Sequence, residues 1–222
     1  MNTILVIAPH PDDETLGCGG TLLKHRARGD DIHWAIITGI SEEEGWAKSR
    51  VDARRQEIRS VAQAYGFTSV SQLDFPAKKL DRVSMSDLVG AISAVVAEVR
   101  PHTVYLNNAT DIHTDHQLAF KAGISSLKTF RHPYTKRVLM YETLSETDFA
   151  APFAAEPFQA NVFVDVSNYF DEKCQIMNIY SSEVMAPPLP RSMETIKALG
   201  MLRGSRIGAT YAEAFTLLNE VS

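Results

Sequence analysis

Cysteine is scarce: Cys18 and Cys174 are the only two in 222 residues. They are too few and too widely separated for a disulfide framework or a CxxC zinc site, and a reducing compartment is the simplest expectation. Basic residues are in deficit, 22 Lys and Arg against 27 Asp and Glu for a net charge of -5. Nothing in that balance drives binding to a phosphate backbone, so nucleic acid is not an expected partner. No apolar run is long enough to span a bilayer. The apolar stretch near Met1 lacks the basic residues that precede the core of a signal peptide, and a cytoplasmic location is expected. Internal repeats and low-complexity tracts are also missing. With 45% hydrophobic residues, residues 1–222 read as one domain that buries its own core without covalent staples.

The chain alternates between short apolar runs and helical periodicity. Ile4–Ala8 reads as a buried strand and Gly17–Arg28 as a helix stopped by Gly29. Strands follow at Ile32–Thr38, Val70–Phe75, Thr103–Leu106 and Arg137–Glu142. Between them the pattern predicts helices over Ala47–Tyr65, from the Ser84 cap to Val99, and from about Asp115 to Leu127. This β-α-β-α order predicts an α/β fold with a mostly parallel sheet covered by helices on both faces. Past residue 145 the pattern loosens to a strand at Val162–Val166, helices over Tyr169–Tyr180 and Met193–Leu202, and Pro-rich connections at Ala151–Pro157 and Ala186–Pro190.

Ligands of such sheets bind beyond the carboxyl ends of the strands, which directs attention to two loops. After the first strand comes His10-Pro11-Asp12-Asp13-Glu14. Acids alone would suit a helix N-terminus, but an imidazole beside them makes a ligand set suited to zinc. Gly17, Gly19 and Gly20 do not complete a dinucleotide fingerprint, because Leu22 occupies a position that requires Gly or Ala. No Gly-Lys-Ser/Thr follows either, so these glycines are expected to let a helix pack closely on the sheet. After the fourth strand comes Asp111-Ile112-His113-Thr114-Asp115-His116. A catalytic zinc takes three protein ligands and leaves one position open. His10, Asp13 and either His113 or His116 supply three. Asp12 then remains as general base, and the other imidazole stands near the substrate carbonyl.

These motifs resemble the PIG-L/LmbE-like superfamily of zinc-dependent N-acetylglucosaminyl de-N-acetylases. The resemblance is carried by Pro9-His10-Pro11-Asp12-Asp13-Glu14 and His113-Thr114-Asp115-His116. It extends to Arg54-Arg55-Gln56-Glu57 before Gly66, to Arg100-Pro101 ahead of the second loop, and to Tyr211-Ala212-Glu213-Ala214-Phe215. It implies a Rossmann-like α/β fold and hydrolysis of an N-acyl group, an acetyl group in the typical case, from a small amino sugar or its conjugate. Carried over by position, it implies one Zn2+ per chain held by His10, Asp13 and His116, with Asp12 as base. His113 would stabilise the tetrahedral intermediate, Asp115 would orient His113 through a hydrogen bond, and Arg54 and Tyr211 would contact substrate. Relatives often self-associate, so a homo-oligomer is a further expectation.

The chain departs from the family at Pro76-Ala77-Lys78-Lys79, where many members carry Asp-Gly after the proline. The two lysines would favour a phosphorylated or nucleotide-linked sugar, or simply be solvated. Trp34 reads as core, whereas Trp46, in a Glu-rich loop, could stack on a sugar. Met185–Pro190 could form part of a lid. Two other classes suit the same residues: a catalytically silent, metal-containing module that binds a sugar nucleotide, and a metal-dependent phosphoesterase. The phosphoesterase would more often hold two metals about 3.5–4 Å apart.

Overall fold

The computed structural model describes residues 1–151 and 157–222; the expected Pro-rich connection over Ala151–Pro157 lies, at 152–156, outside the described residues. Among the described residues, six α-helices and seven strands follow one another as β1 (Thr3–Ala8), α1 (Asp13–Ala27), β2 (Asp31–Gly39), α2 (Lys48–Tyr65), β3 (Ser69–Pro76), α3 (Met85–Val99), β4 (Thr103–Asn107), α4 (Thr114–Ser126), β5 (Arg137–Tyr141), β6 (Val162–Asp165), α5 (Phe170–Met177), α6 (Met193–Ser205) and β7 (Ala212–Glu220). The seven strands form one sheet in the order β3-β2-β1-β4-β5-β7-β6. β1 to β5 pair in parallel, and β7 runs antiparallel to both β5 and β6.

The alternation of a strand's side chains divides the core into two layers. Ile4, Val6 and Ala8 point into one layer with Leu22 and Leu23 of α1, Val61 of α2 and Phe170 of α5. Leu5 and Ile7 point into the other with Ile92 and Val96 of α3 and Ala119 and Ala122 of α4. A strand buried on both faces has no polar alternation, which is why β1 reads as one apolar run. The predicted helix ends are also found: Ser84 Oγ accepts the Asp87 N–H at 3.1 Å, and Gly66 closes α2 at φ 70°, in the left-handed region.

β7 departs from expectation. Its residues were legible only as a motif, yet they make the strand that joins β5 to β6. α1 also begins four residues earlier than its periodicity suggests, because it is two helical segments joined at Cys18 (φ -142°, ψ 19°). Such a break exposes backbone groups that must find partners. Glu213 of β7 supplies carboxylate oxygens to the N–H groups of Gly20 and Thr21 at 2.9 and 2.7 Å. Lys173 of α5 donates to the Leu16 carbonyl at 3.0 Å and to Glu213 at 2.6 Å. Gly17 lets the first segment lie against β5, since a Cβ there would sit 2.1 Å from the Tyr141 ring.

Lys173 and Glu213 are both buried, so removing one leaves the other charge unpaired. Glu213→Ala is therefore expected to destabilise the fold by about 3–5 kcal/mol, read as a lowered midpoint of urea unfolding.

Candidate metal centre and its cavity

β1 lies between β2 on one side and β4 on the other, so the strand order reverses there and a crevice opens beyond its carboxyl end. The loop after β1 brings His10, Asp12 and Asp13 to that crevice, and the loop after β4 brings Asp111, His113, Asp115 and His116. His10 Nδ1 stands 3.2 Å from His116 Nε2, His116 Nε2 stands 3.2 Å from Asp13 Oδ2, and His10 Nδ1 stands 3.4 Å from Asp13 Oδ2. Atoms bound about 2.0–2.1 Å from one tetrahedral ion stand about 3.3–3.4 Å apart, so the triangle fits a zinc-sized cation.

The hydrogen bonds behind the triangle support the same conclusion. His116 Nδ1 faces Asp111 Oδ2 at 2.8 Å, and His10 Nε2 faces Asp115 Oδ2 at 3.1 Å. Each carboxylate takes a ring N–H, which leaves a lone pair on the nitrogen aimed into the triangle. Two lone pairs and a carboxylate oxygen then converge in a buried space, an arrangement that calls for positive charge. Burial disfavours a charged imidazole, but Asp13 and Asp111 outweigh it and push His116 up to about 10. His10, His113 and Asp115 form a second donor group that shares His10. It is the poorer ligand set, since Asp115 Oδ2 already accepts the Lys78 N–H at 2.6 Å and His113 Nδ1 accepts the Asp115 N–H at 3.0 Å.

Asp12 stands outside the triangle with its backbone at φ 133°, a conformation few residues other than glycine adopt. Buried Glu14 stabilises that turn, as its Oε2 accepts the Asp12 N–H at 3.1 Å and its Oε1 accepts from Tyr180 at 2.8 Å. Burial and then repulsion from Asp13 push the Asp12 carboxyl up to about 8, against the pull of Arg191. Burial, then the neighbouring imidazoles, hold His113 down to about 4.

A cavity of about 310 Å3 opens in front of these groups. Both Asp12 and His113 line it, and so do Trp46, Lys78 and Arg191. Arg191, in the connection before α6, donates to Asp12 Oδ2 at 2.8 Å, Glu146 Oε1 at 3.1 Å and Ser145 Oγ at 2.7 Å. Arg54 also lines the cavity, but its guanidinium is engaged by Glu183, by Glu57 and by the Pro11 carbonyl. Burial opposes ionisation of Glu183, yet Arg54 and Arg191 hold its carboxyl below the usual range.

Two expected roles need correction. The Asp115 side chain does not orient His113; its carboxylate reaches His10 and the N–H groups of Lys78 and Leu80, and the Asp115 backbone N–H orients His113 instead. Tyr211 does not reach the cavity, because its ring stacks on Phe170 with centroids 4.0 Å apart. Arg191, Glu183, Glu146 and Asp111 escaped the sequence reading. Only Asp111 left a trace, as an acid just ahead of the His113 motif; the others lie in irregular segments without periodicity.

Residues 5–127 match the PIG-L family, described as GlcNAc-PI de-N-acetylase. The diacetylchitobiose deacetylase of Thermococcus kodakarensis is 24% identical over 220 residues, covering 96% of this chain and 82% of the relative. A conserved protein of Thermus thermophilus superposes with a TM-score of 0.78 at 25% identity, over 100% of this chain and 97% of that one. A 4-carboxy-2-hydroxymuconate hydratase from Pseudomonas putida shares the fold with a TM-score of 0.76 at 20% identity, over 100% and 98% of the two chains. The family match runs from β1 to α4, four parallel strands and the four helices that follow them, including both loops that meet at the crevice, and the chain belongs to the PIG-L family.

Proposed function

We propose that residues 1–222 act as one catalytic domain, a zinc-dependent hydrolase that removes an N-acyl group, acetyl in the simplest case, from an amino sugar or its conjugate. The donor triangle of His10, Asp13 and His116, with edges of 3.2–3.4 Å, is the observation that carries this reading. The deacetylase activity named for the Thermococcus relative and for the family supports an amide as the bond cleaved.

Zinc bound by the triangle would supply a Lewis acid that polarises the amide carbonyl and lowers the pKa of water toward ~7. Asp12, outside the triangle and lining the cavity, takes a proton from water as its oxygen attacks the acyl carbon. Arg191 holds that carboxylate at 2.8 Å and limits its rotation. Because His113 Nδ1 accepts the Asp115 N–H, a neutral His113 carries its proton on Nε2. That N–H serves as donor to the oxyanion that develops on the carbonyl. The proton held by Asp12 passes to the nitrogen as the C–N bond breaks, which yields a carboxylic acid and a free amine. Asp111 and Asp115 act through the imidazoles they orient.

Asp12→Asn is expected to keep about one zinc per chain by elemental analysis while kcat falls about 10²–10⁴-fold, measured as amine release from a panel of N-acylated amino sugars. Near-normal kcat in that variant would remove Asp12 as base. Asp13→Ala is expected to lose the metal, and a chelator to stop turnover reversibly. Asp111→Asn is expected to weaken zinc binding about 10–100-fold in a competition titration. Two metals per chain with hydrolysis of phosphate esters would favour the phosphoesterase instead, and bound zinc without any hydrolysis would favour the binding module.

A further inference from the structure

Four cationic side chains line the cavity: Arg50, Arg54, Lys78 and Arg191. Three are engaged. Arg50 pairs with Glu183 at 3.0 Å, Arg54 with Glu183 and Glu57, and Arg191 with Asp12 and Glu146. Neighbouring Lys79, which does not line the cavity, pairs with Glu44. Among the described residues, Lys78 alone of the four makes no ion pair; its ammonium stands 5.5 Å from the centre of the Trp46 ring.

The backbone at Lys78 is unusual as well, one of five non-glycine positions with positive φ among the described residues. Lys78 has φ 64°, in the left-handed region that glycine enters freely and lysine enters at a cost. Its N–H is held by Asp115 Oδ2 at 2.6 Å, the oxygen that also faces His10 Nε2 at 3.1 Å. One carboxylate thus fixes the distance between Lys78 and the candidate metal centre. Glycine at this position would relax the backbone.

We propose that Lys78 and Trp46 form a subsite for an anionic group on the amino sugar, the sugar ring lying on the indole and the anion on the ammonium. The site then prefers N-acyl amino sugars that bear a carboxylate or a phosphate over neutral ones. This deepens, and rests on, the amino-sugar reading above. The indole face attracts the ammonium and displaces water from one side of it, so an arriving anion meets a charge less screened than a solvated lysine. The ion pairs of the other three cations leave Lys78 as the one that takes the anion without breaking an existing bridge.

The two tryptophans make binding measurable without turnover, since Trp34 is fully buried and Trp46 lines the cavity. The zinc-loaded protein is titrated by tryptophan fluorescence with methylsulfonamide analogues of N-acetylglucosamine, which resist hydrolysis. The neutral sugar, its 1-phosphate, its 6-phosphate and its uronic acid are the four probes, and they separate a phosphate from a carboxylate preference. At least one charged probe is expected to bind tenfold or more tightly than the neutral one, with an advantage that shrinks as salt rises. Lys78→Met and Lys78→Gly are expected to abolish that advantage, and Lys78→Arg to retain most of it. Lys78→Gly relieves the left-handed strain, so its unchanged or raised Tm excludes misfolding as the cause. Equal binding of charged and neutral probes by the wild type, or an advantage that survives in both Lys78→Met and Lys78→Gly, overturns the proposal. A charge preference without hydrolysis of any N-acyl sugar supports the subsite and counts only against the deacylase reading.

Discussion

Buried negative charge at the crevice between β1 and β4 is the constraint on which the rest of this structure depends. Asp12, Asp13, Glu14, Asp111 and Asp115 are all buried there, and burying carboxylates together is expensive unless cations or hydrogen-bond donors face them. Each is answered differently. Burial pushes Glu14 up to about 7, while donors from Thr15 and Tyr180 favour its ionised form. Asp12 is answered by Arg191, Asp111 by His116, and Asp115 by His10 with two backbone N–H groups. Asp13 is answered by the His10 backbone N–H at 2.8 Å and by the two imidazoles, whose outer nitrogens already face other carboxylates. Among the described residues, the donor triangle is one of two groups there whose ligand atoms lie close enough to hold a metal ion.

The parts of this arrangement that were legible in the sequence are the local ones. β1 showed as an apolar run because it is covered on both faces, and the rule that ligands sit beyond strand ends then selected the loops holding His10 and His113. Spacing within a loop could not say which atom of Asp115 meets which imidazole. That depends on His113 capping α4 with its own ring, which frees the Asp115 carboxylate to turn toward His10 and the Lys78 N–H. Tyr211 misled for a related reason. Its segment does approach the first helix, but through Glu213; the tyrosine two residues earlier lies in the layer of Phe170. Arg191 was invisible because an arginine in a Pro-rich connection carries no periodicity, and its partners Asp12, Ser145 and Glu146 are far from it along the chain.

Stability and site geometry are joined through α1. The break at Cys18 allows the first segment to present Asp13 and Glu14 at the crevice while the second follows the sheet. That break is tolerable only because β7 and α5 supply Glu213 and Lys173 to the freed backbone groups. The family match ends at residue 127, before either residue. The crevice motifs and the elements that complete their supporting helix therefore come from different parts of the chain, and the second part, being less regular, was the harder to read.

A hydratase shares this fold, so the sheet and its crevice do not by themselves choose a reaction. In this chain the crevice holds Asp12 beside the donor triangle of His10, Asp13 and His116. Around the cavity mouth stand Trp46 before α2, Lys78 after β3, and Arg191 before α6. These come from three separate connections, each of which can change without disturbing the strands. Of the three, Lys78 is tied most directly to the centre, through the single carboxylate of Asp115 that also steadies His10. A change in that loop would alter both the ligand at the mouth and the aim of an imidazole at the centre. The shape of the cavity mouth and the aim of His10 are in this way one structural problem.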